Sequence, residues 1–242
     1  HDTPLRIVPL GGVGEIGKNL YVFEYGDDIV VIDCGLMFPD EEMFGIDLVV
    51  PDVTYLKENR HKVRAFLITH AHEDHVGGLP YVLPEFPGVP VYASTLARGL
   101  LGNKIKAHKP PYNPFLALDP GDELDIGPFH VIPFRVGHSI PDAMGIALRT
   151  PVGTIVHTGD FKFDHAPIDG EPTHLAFAVA DDGPGIEPAR LVRILDPSIE
   201  EETQPTAEEL AYSVVYALAR AMGAQLTMTS APGTGTRATI RI

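Results

Sequence analysis

The run from Thr69 to Gly78 carries the residues of this chain best suited to chemistry. Its core has the order H-x-H-x-D-H, so three imidazoles and Asp74 fall within the six positions between His70 and His75. The preceding residues, 63–68, are strongly apolar and predict a buried strand. His70 and His72 lie two apart, so their side chains point the same way in an extended loop. Imidazole and carboxylate ligands on a loop held by a rigid strand suit zinc.

Two further candidate ligands also follow predicted strands. His138 comes after the predicted strand 129–136, and Asp160 comes after the second strand of a predicted hairpin, 154–157. Because several predicted strands each end next to a His or an Asp, we favour a shared metal site over the alternative that these are unrelated turn residues. Asp33 also ends a buried strand, where a carboxylate needs a partner. It either orients a ligand histidine or caps the turn that follows, and its chemistry leaves both open.

Composition bounds the kind of protein. The chain has 242 residues, 44% of them hydrophobic, and a formal net charge of −15. The single Cys34 excludes an internal disulfide and fits a reducing, cytoplasmic compartment. No signal peptide or apolar run of about eighteen residues is visible, so we expect no membrane partner. The acidic charge argues against a broad basic face for nucleic acid, but a bound divalent metal would supply positive charge locally.

A glycine-rich run near the start has two interpretations. Gly12, Gly14 and Gly17 match G-x-G-x-x-G, a nucleotide-binding pattern that requires a helix after it. The residues that follow instead predict a β-hairpin, with strands at 20–25 and 29–33. We therefore favour a tight connection between strands. The other predicted elements of this part are strands at 5–10, 89–93 and 145–149 and helices at 54–60, 79–86 with a break at Pro84, and 94–101.

Residues 1 to about 174 resemble the N-terminal metallo-β-lactamase part of bacterial ribonuclease J, of the β-CASP nuclease group. The matching runs are residues 9–19, 31–39, 45–47, 69–78, 137–142 and 157–164. The resemblance implies an α/β fold of the metallo-β-lactamase-like αββα sandwich type. It also implies an RNA substrate that is cut internally or from a 5′ end.

The same resemblance implies a set of zinc ligands for one or two ions. They are His70, His72, Asp74, His75, His138 and Asp160. Asp160 is expected to bridge the two ions, and Asp74 also to help hold the attacking hydroxide, which makes both candidate catalytic residues. Asp33 matches the first acidic motif of the family, and this favours its role beside a ligand histidine.

The expected site is incomplete by the standard of that family. Ribonuclease J continues with a β-CASP domain that clamps RNA and with one more histidine for the second metal, whereas residues 175–242 contain no histidine. We expect a good first metal position, formed by His70, His72, His138 and Asp160. The second position, formed by Asp74, His75 and Asp160, is expected to be poor and cleavage to be impaired.

Residues 175–242 resemble the C-terminal half of a histidine-kinase ATPase domain. The shared features are the run 181–186, a helix at about 207–222 and a hairpin around 231–235. The resemblance implies that Asp181 contacts adenine. The helix that holds magnesium and phosphates and the glycine-rich segment before the long helix are both missing. A structural turn at 181–185 is therefore favoured over nucleotide binding.

Two half-domains in one chain suggest an engineered chimera, because each natural domain must close its own core. We expect residues 1–174 to form the metal-binding half and residues 175–242 a βαββ segment that supplies a second sheet and a helix. The leading function is a zinc-dependent phosphodiester hydrolase. The alternatives are a metal-binding chimera without turnover, a nucleotide-binding module and another hydrolase of the superfamily. The runs 137–142 and 157–164 argue against the last alternative.

Overall fold

The computed structural model describes residues 3–40, 42–108, 113–162, 176–195, 214–216, 218–219 and 224–241. The chain divides into two compact units, His1–Glu171 and Pro172–Ile242. The predicted boundary after residue 174 lies outside the described residues and stays a prediction.

A mixed six-stranded sheet forms the centre of the first unit. Its strands, in spatial order, are β1 (Leu5–Gly11), β2 (Leu20–Tyr25), β3 (Asp28–Ile32), β4 (Val63–Leu67), β5 (Val91–Ala93) and β6 (Phe115–Ala117). β1, β2 and β3 pair antiparallel, and β3 to β6 pair parallel. The predicted β2–β3 hairpin is confirmed, and Gly26 turns it with φ 63°. No helix follows the glycine run before β2, so the nucleotide-binding pattern lacks the helix it requires.

A second, antiparallel sheet faces the first. Its strands are β7 (Leu124–Ile126), β8 (Phe129–Arg135), β9 (Met144–Thr150) and β10 (Gly153–His157), in the order β10-β9-β8-β7. Side chains such as Ile32 and Leu67 from the first sheet and Phe129 and Ile146 from the second form one buried cluster. The sequence predicts that the second sheet comes from the tail; the sheet that faces the first comes instead from residues 124–157, while the tail contains a further sheet of its own. Residues 124–157 alternate apolar and polar side chains and cover the first sheet themselves.

Helices cover the other face of the six-stranded sheet. They are α1 (Thr54–Glu58), α2 (Glu73–Val76), α3 (Leu79–Val82) and α4 (Thr95–His108). Their buried side chains, among them Leu56, Leu79 and Leu101, pack with the sheet in a second core cluster. The Ser94 hydroxyl accepts the Ala97 N–H at 3.2 Å and so caps α4, which runs beyond the predicted end at 101. The break at Pro84 is confirmed, because a 3-10 turn at Leu83–Glu85 follows α3.

The second unit contains a three-stranded antiparallel sheet and a helix. The elements are β11 (Ala176–Ala180), α5 (Pro188–Leu195), β12 (Gln225–Ser230) and β13 (Thr236–Arg241), with strand order β11-β13-β12. The sequence predicts a strand at 175–180, a short helix at 189–195 and a hairpin with strands at 225–230 and 236–242, and these are confirmed over the described residues. Of the predicted long helix, residues 214–216 and 218–219 are described, and these are helical. No helix in the described part of the chain is both long and apolar enough to cross a membrane.

Candidate metal centre

Backbone hydrogen bonds fix the histidine run against the end of β3. The N–H of Asn19 donates to the carbonyl of Asp74 at 3.0 Å, and the N–H of Cys34 donates to that of His75 at 2.7 Å. The N–H of Leu36 donates to the carbonyl of Glu73 at 3.0 Å. The loop expected after His72 is in part helical, because α2 begins at Glu73. Thus the run is held by three chain segments rather than by β4 alone.

Three ring nitrogens converge at one point of this loop. His70 Nε2 lies 3.0 Å from His72 Nδ1, and His138 Nε2 lies 3.2 Å from the same atom. His138 follows β8 of the second sheet, so its contact with His72 connects the two sheets at this point. His70 is buried, whereas His72 and His138 are partly exposed. We call these three residues the first donor cluster, whose ligand atoms lie within 4.8 Å of one another.

A second donor cluster contains His70, His75 and Asp160, again with ligand atoms within 4.8 Å of one another. His75 Nε2 lies 3.4 Å from Asp160 Oδ1 and 3.5 Å from Asp74 Oδ2. The other carboxylate oxygen of Asp160, Oδ2, lies 3.8 Å from His138 Nε2. Asp160 therefore stands between the two clusters and directs one oxygen toward each.

Asp33 orients His75 from behind. Its carboxylate is fully buried and accepts hydrogen bonds from Thr69 N and Thr69 Oγ1, both at 2.8 Å, and it lies 2.7 Å from His75 Nδ1. The backbone of Asp33 has φ 61°, which Asp tolerates better than most residues. These contacts place the carboxylate on a histidine rather than on the turn after β3. With Nδ1 turned toward Asp33, Nε2 of His75 faces Asp74 and Asp160.

The proton affinities in this site differ strongly. Burial opposes charge on His75, but Asp33 and Asp160 outweigh it and raise the pKa of His75 to about 10. Burial, with the neighbouring charge on His75, lowers the pKa of His70 to about 3. The hydrogen bond with His75 lowers the pKa of Asp160 to about 2. The site thus stabilises a positive charge at His75 Nε2 and keeps His70 neutral.

This donor set fits a metal ion. Within each cluster the ligand atoms lie within 4.8 Å of one another, close enough to share one ion, and imidazole nitrogens and carboxylate oxygens are the kinds of ligand that zinc takes. His70 is neutral and so offers a lone pair to a metal. The acids around His75 favour a positive charge there, and a divalent ion would take the place of the proton on His75. The clusters hold all the predicted ligands except Asp74, which lies beside the second one.

Sequence reasoning missed two contributors to the site. Asn19 Nδ2 donates to the Asp74 carbonyl at 3.1 Å and lies 3.1 Å from His75 Nε2. Thr69 links Asp33 to His70, since its Oγ1 also lies 3.0 Å from His70 Nδ1. His157 belongs to neither cluster, and its Nδ1 accepts the Gly159 N–H at 3.2 Å. Asn19 is part of the matching run 9–19, and this was the one signal available. His165 and His174, which with His157 are the nearby histidines that could replace the missing ligand, lie outside the described residues.

Two facing sheets, outer helices and histidine and aspartate clusters at the strand ends together define an α/β sandwich with a candidate metal centre at one edge. Consistently, the family description of the metallo-beta-lactamase superfamily matches residues 13–217. The chain belongs to the metallo-beta-lactamase superfamily.

Its relatives include ribonuclease J proteins. The chain is 44% identical over 228 residues to ribonuclease J of Thermus thermophilus, in a match that covers 90% of this chain and 39% of that protein. It is 46% identical over 169 residues to ribonuclease J of Synechocystis, covering 69% of this chain and 26% of that protein. The chain thus spans well under half the length of these relatives. A crystal structure of a protein of unknown function from Enterococcus faecalis shares the fold over 67% of this chain and 45% of its own, with TM-score 0.55 and 21% identity.

Proposed function

We propose that this chain carries a zinc-dependent phosphodiester hydrolase site of ribonuclease J type, with RNA as its substrate. One observation carries the proposal: the two oxygens of Asp160 face His75 and His138, which belong to different donor clusters. A carboxylate between two donor sets is the arrangement needed to bridge a pair of ions. The similarity to ribonuclease J proteins supports the choice of RNA.

The donor chemistry supports the predicted ligands for each ion. His70, His72, His138 and Asp160 would hold the first, and this imidazole-rich set favours zinc over magnesium or calcium. Asp74, His75 and Asp160 would hold the second with fewer nitrogens. We therefore propose that the first position binds more tightly than the second.

Bound zinc would acidify a coordinated water and offset charge on the phosphate. The protein's own groups hold and orient this site. Asp33 keeps His75 Nδ1 occupied, so that Nε2 is directed at the site. The Asn19 amide holds Asp74 through the Asp74 carbonyl and, at 3.4 Å, through Oδ2. With its side chain 39% exposed, Asp74 is placed to accept a proton from an attacking water.

Zinc content and RNA cleavage test the proposal together. We expect one to two zinc ions per chain by elemental analysis of protein purified without added metal, and cleavage of a single-stranded RNA. Asp74→Asn should lower the cleavage rate roughly 10²–10⁴-fold while zinc in the first position remains. Asp125→Asn, which alters an exposed acid on β7, is the control. A chain free of zinc would contradict the metal site.

Retained zinc without cleavage in the unaltered chain would select the alternative of a metal-binding protein without turnover. For residues 175–242 the hypothesis of a histidine-kinase-like segment in an engineered chimera is opposed by the family match, which runs to residue 217, and by the match to ribonuclease J of Thermus thermophilus, which covers 90% of this chain. The order β11, α5, β12 and β13 is the one feature in its favour among the described residues. The Asp181 carboxylate accepts the Gly183 N–H at 2.8 Å, which is the contact expected of a structural turn. No contact in the described part of this unit favours nucleotide binding.

A further inference from the structure

A cleft of about 770 Å³ opens beside the histidine run. It is lined by the glycine loop at residues 14–17, by Leu36, Met37, Phe38, Asp40 and Met43, and by Glu73 and Asp74. Because Asp74 belongs both to this cleft and to the candidate metal centre, the cleft borders that centre. The volume lies within the range of small-ligand pockets.

The floor of this cleft is fixed by backbone contacts. The N–H of Lys18 donates to the carbonyl of Leu36 at 3.0 Å, and the N–H of Leu36 donates to that of Glu73 at 3.0 Å. Met37 and Val49 exchange hydrogen bonds at 2.8 and 2.9 Å. A Cβ on Gly17 would lie 3.1 Å from the Leu36 carbonyl oxygen, so glycine is needed for this close approach. The cleft is therefore formed before any ligand arrives.

Its lining combines apolar and acidic side chains. Phe38 is 68% exposed and Ile16 is 91% exposed, although each is a large apolar residue beside a polar site. Glu15, Asp40, Glu73 and Asp74 add carboxylates. Glu15 pairs with Lys18 at 3.0 Å and Glu73 pairs with Lys104. Within the part of the chain that the structure describes, the Asp40 carboxylate makes no hydrogen bond or ion pair.

A phosphate is a poor occupant for such a cleft, because these carboxylates would repel it. A nucleobase is uncharged, has a flat face for an aromatic ring and carries N–H donors for a carboxylate. We propose that the cleft binds one unstacked nucleobase, with Phe38 against its face and Asp40 accepting from its exocyclic amino group. The proposal rests on the proposed function, and places this base next to the phosphodiester at the metal centre.

Free nucleosides test the cleft without any catalysis. Cytidine carries an amino donor at the position where uridine carries a carbonyl acceptor. A carboxylate, which only accepts hydrogen bonds, should therefore bind cytidine more tightly than uridine. With zinc removed by a chelator, we expect saturable binding of cytidine by NMR titration and binding of uridine at least roughly fivefold weaker. No saturable cytidine binding up to roughly 10 mM would overturn the proposal.

Matched variants separate the two contacts. Phe38→Ala should weaken cytidine and uridine equally, by roughly 5- to 150-fold, whereas Phe38→Tyr keeps the ring and should bind normally. Phe44→Ala is the control, since Phe44 is 92% exposed and does not line the cleft. Asp40→Asn should reduce the preference for cytidine, because the Asn amide can also donate to the carbonyl of uridine. Equal binding by the Phe38→Ala and Phe44→Ala variants would refute the subsite.

These results stand apart from the hydrolase proposal. Normal zinc content and RNA cleavage with no nucleoside binding would remove the subsite and leave the proposed function intact. Cytidine binding that depends on Phe38 and Asp40, in a chain that cleaves no RNA, would support the subsite and contradict the hydrolase.

Discussion

Gly35 shows how closely the segment after β3 approaches the histidine run. A Cβ at this position would overlap the carbonyl oxygen of Asp74 and lie 2.9 Å from the Asn19 nitrogen, and both are backbone atoms. The Gly35→Ala variant must therefore push the histidine run away from the end of β3. We expect a large loss of zinc by elemental analysis and a lower melting temperature.

Gly99 is the matched control for that substitution. It lies in α4, where an added Cβ would have nothing within 4 Å, and its φ is not positive. The Gly99→Ala variant should keep its zinc and gain up to about 1 kcal/mol of stability, because alanine favours the helix. If both variants kept their zinc, the close approach at Gly35 would not matter for the site.

Asp33 acts on the metal through His75. Asp33→Asn keeps the size and tolerates the positive φ, but an amide cannot accept the same three hydrogen bonds. Removing such a partner of a ligand histidine costs roughly 10- to 100-fold in metal affinity. Competition with a zinc-binding dye should detect this loss.

The exposed pair of Asp125 and His130 provides the control. Asp125 Oδ1 lies 2.7 Å from His130 Nδ1, the same distance as in the buried pair, yet its side chain is 81% exposed. Asp125→Asn should leave zinc affinity unchanged. An equal loss in both variants would mean that overall charge, not the contact with His75, controls metal binding.

At the scale of elements, Glu24 ties β2 to α1 and to the 3-10 turn at Arg60–Lys62. This buried carboxylate accepts hydrogen bonds from Tyr55 and, at 2.8 Å, from Lys62. Burial would raise the pKa of Glu24, but these hydrogen bonds outweigh it and hold the pKa below its ordinary value. Glu24→Gln should lower the free energy of unfolding at pH 7 by about 1–3 kcal/mol.

The sign of the pH dependence follows from that lowered pKa. The stabilisation is present above the pKa of Glu in the unfolded chain, about 4.3, and is lost as the pH falls through the folded value. Denaturant unfolding should therefore show the gap between wild type and Glu24→Gln closing in acid. Asp27 lies 3.9 Å from the same Lys62 but is 92% exposed, so Asp27→Asn should show no gap at either pH.

Much of the first unit could be predicted at this scale. The strands β2, β3, β4 and β8 are apolar runs with clear turns, and their predicted positions are confirmed. The three-residue strands β6 and β7 were missed, although β5, which is equally short, was predicted within 89–93. The predicted origin of the sheet that faces the first one was wrong. The pattern of a strand shows that one of its faces is apolar, but it does not show which other strands pack on that face.

The same limit applies to the site. The pattern from His70 to His75 and the strand-end positions of His138 and Asp160 predicted residues that the fold does bring together. The contact of Asn19 with His75 crosses 56 positions and depends on the pairing of β2 with β3. The ligand roles themselves stay a proposal until zinc is measured.

At the scale of the whole molecule, charge opposes the proposed substrate. The chain has 18 Lys and Arg against 33 Asp and Glu, so RNA meets long-range repulsion before it reaches any local attraction. Raising the salt from about 10 to about 100 mM shortens the screening length from ~30 to ~10 Å. We therefore expect the affinity for a labelled single-stranded RNA, measured by fluorescence anisotropy, to rise over this range.

A basic RNA-binding face would respond in the opposite direction, because binding there releases counterions and weakens with salt. Cytidine is the control, since an uncharged ligand should bind this chain equally at both salt concentrations. RNA affinity that falls steeply with salt would show that a local basic surface governs binding. The excess of acidic residues would then have no influence on how RNA approaches the site.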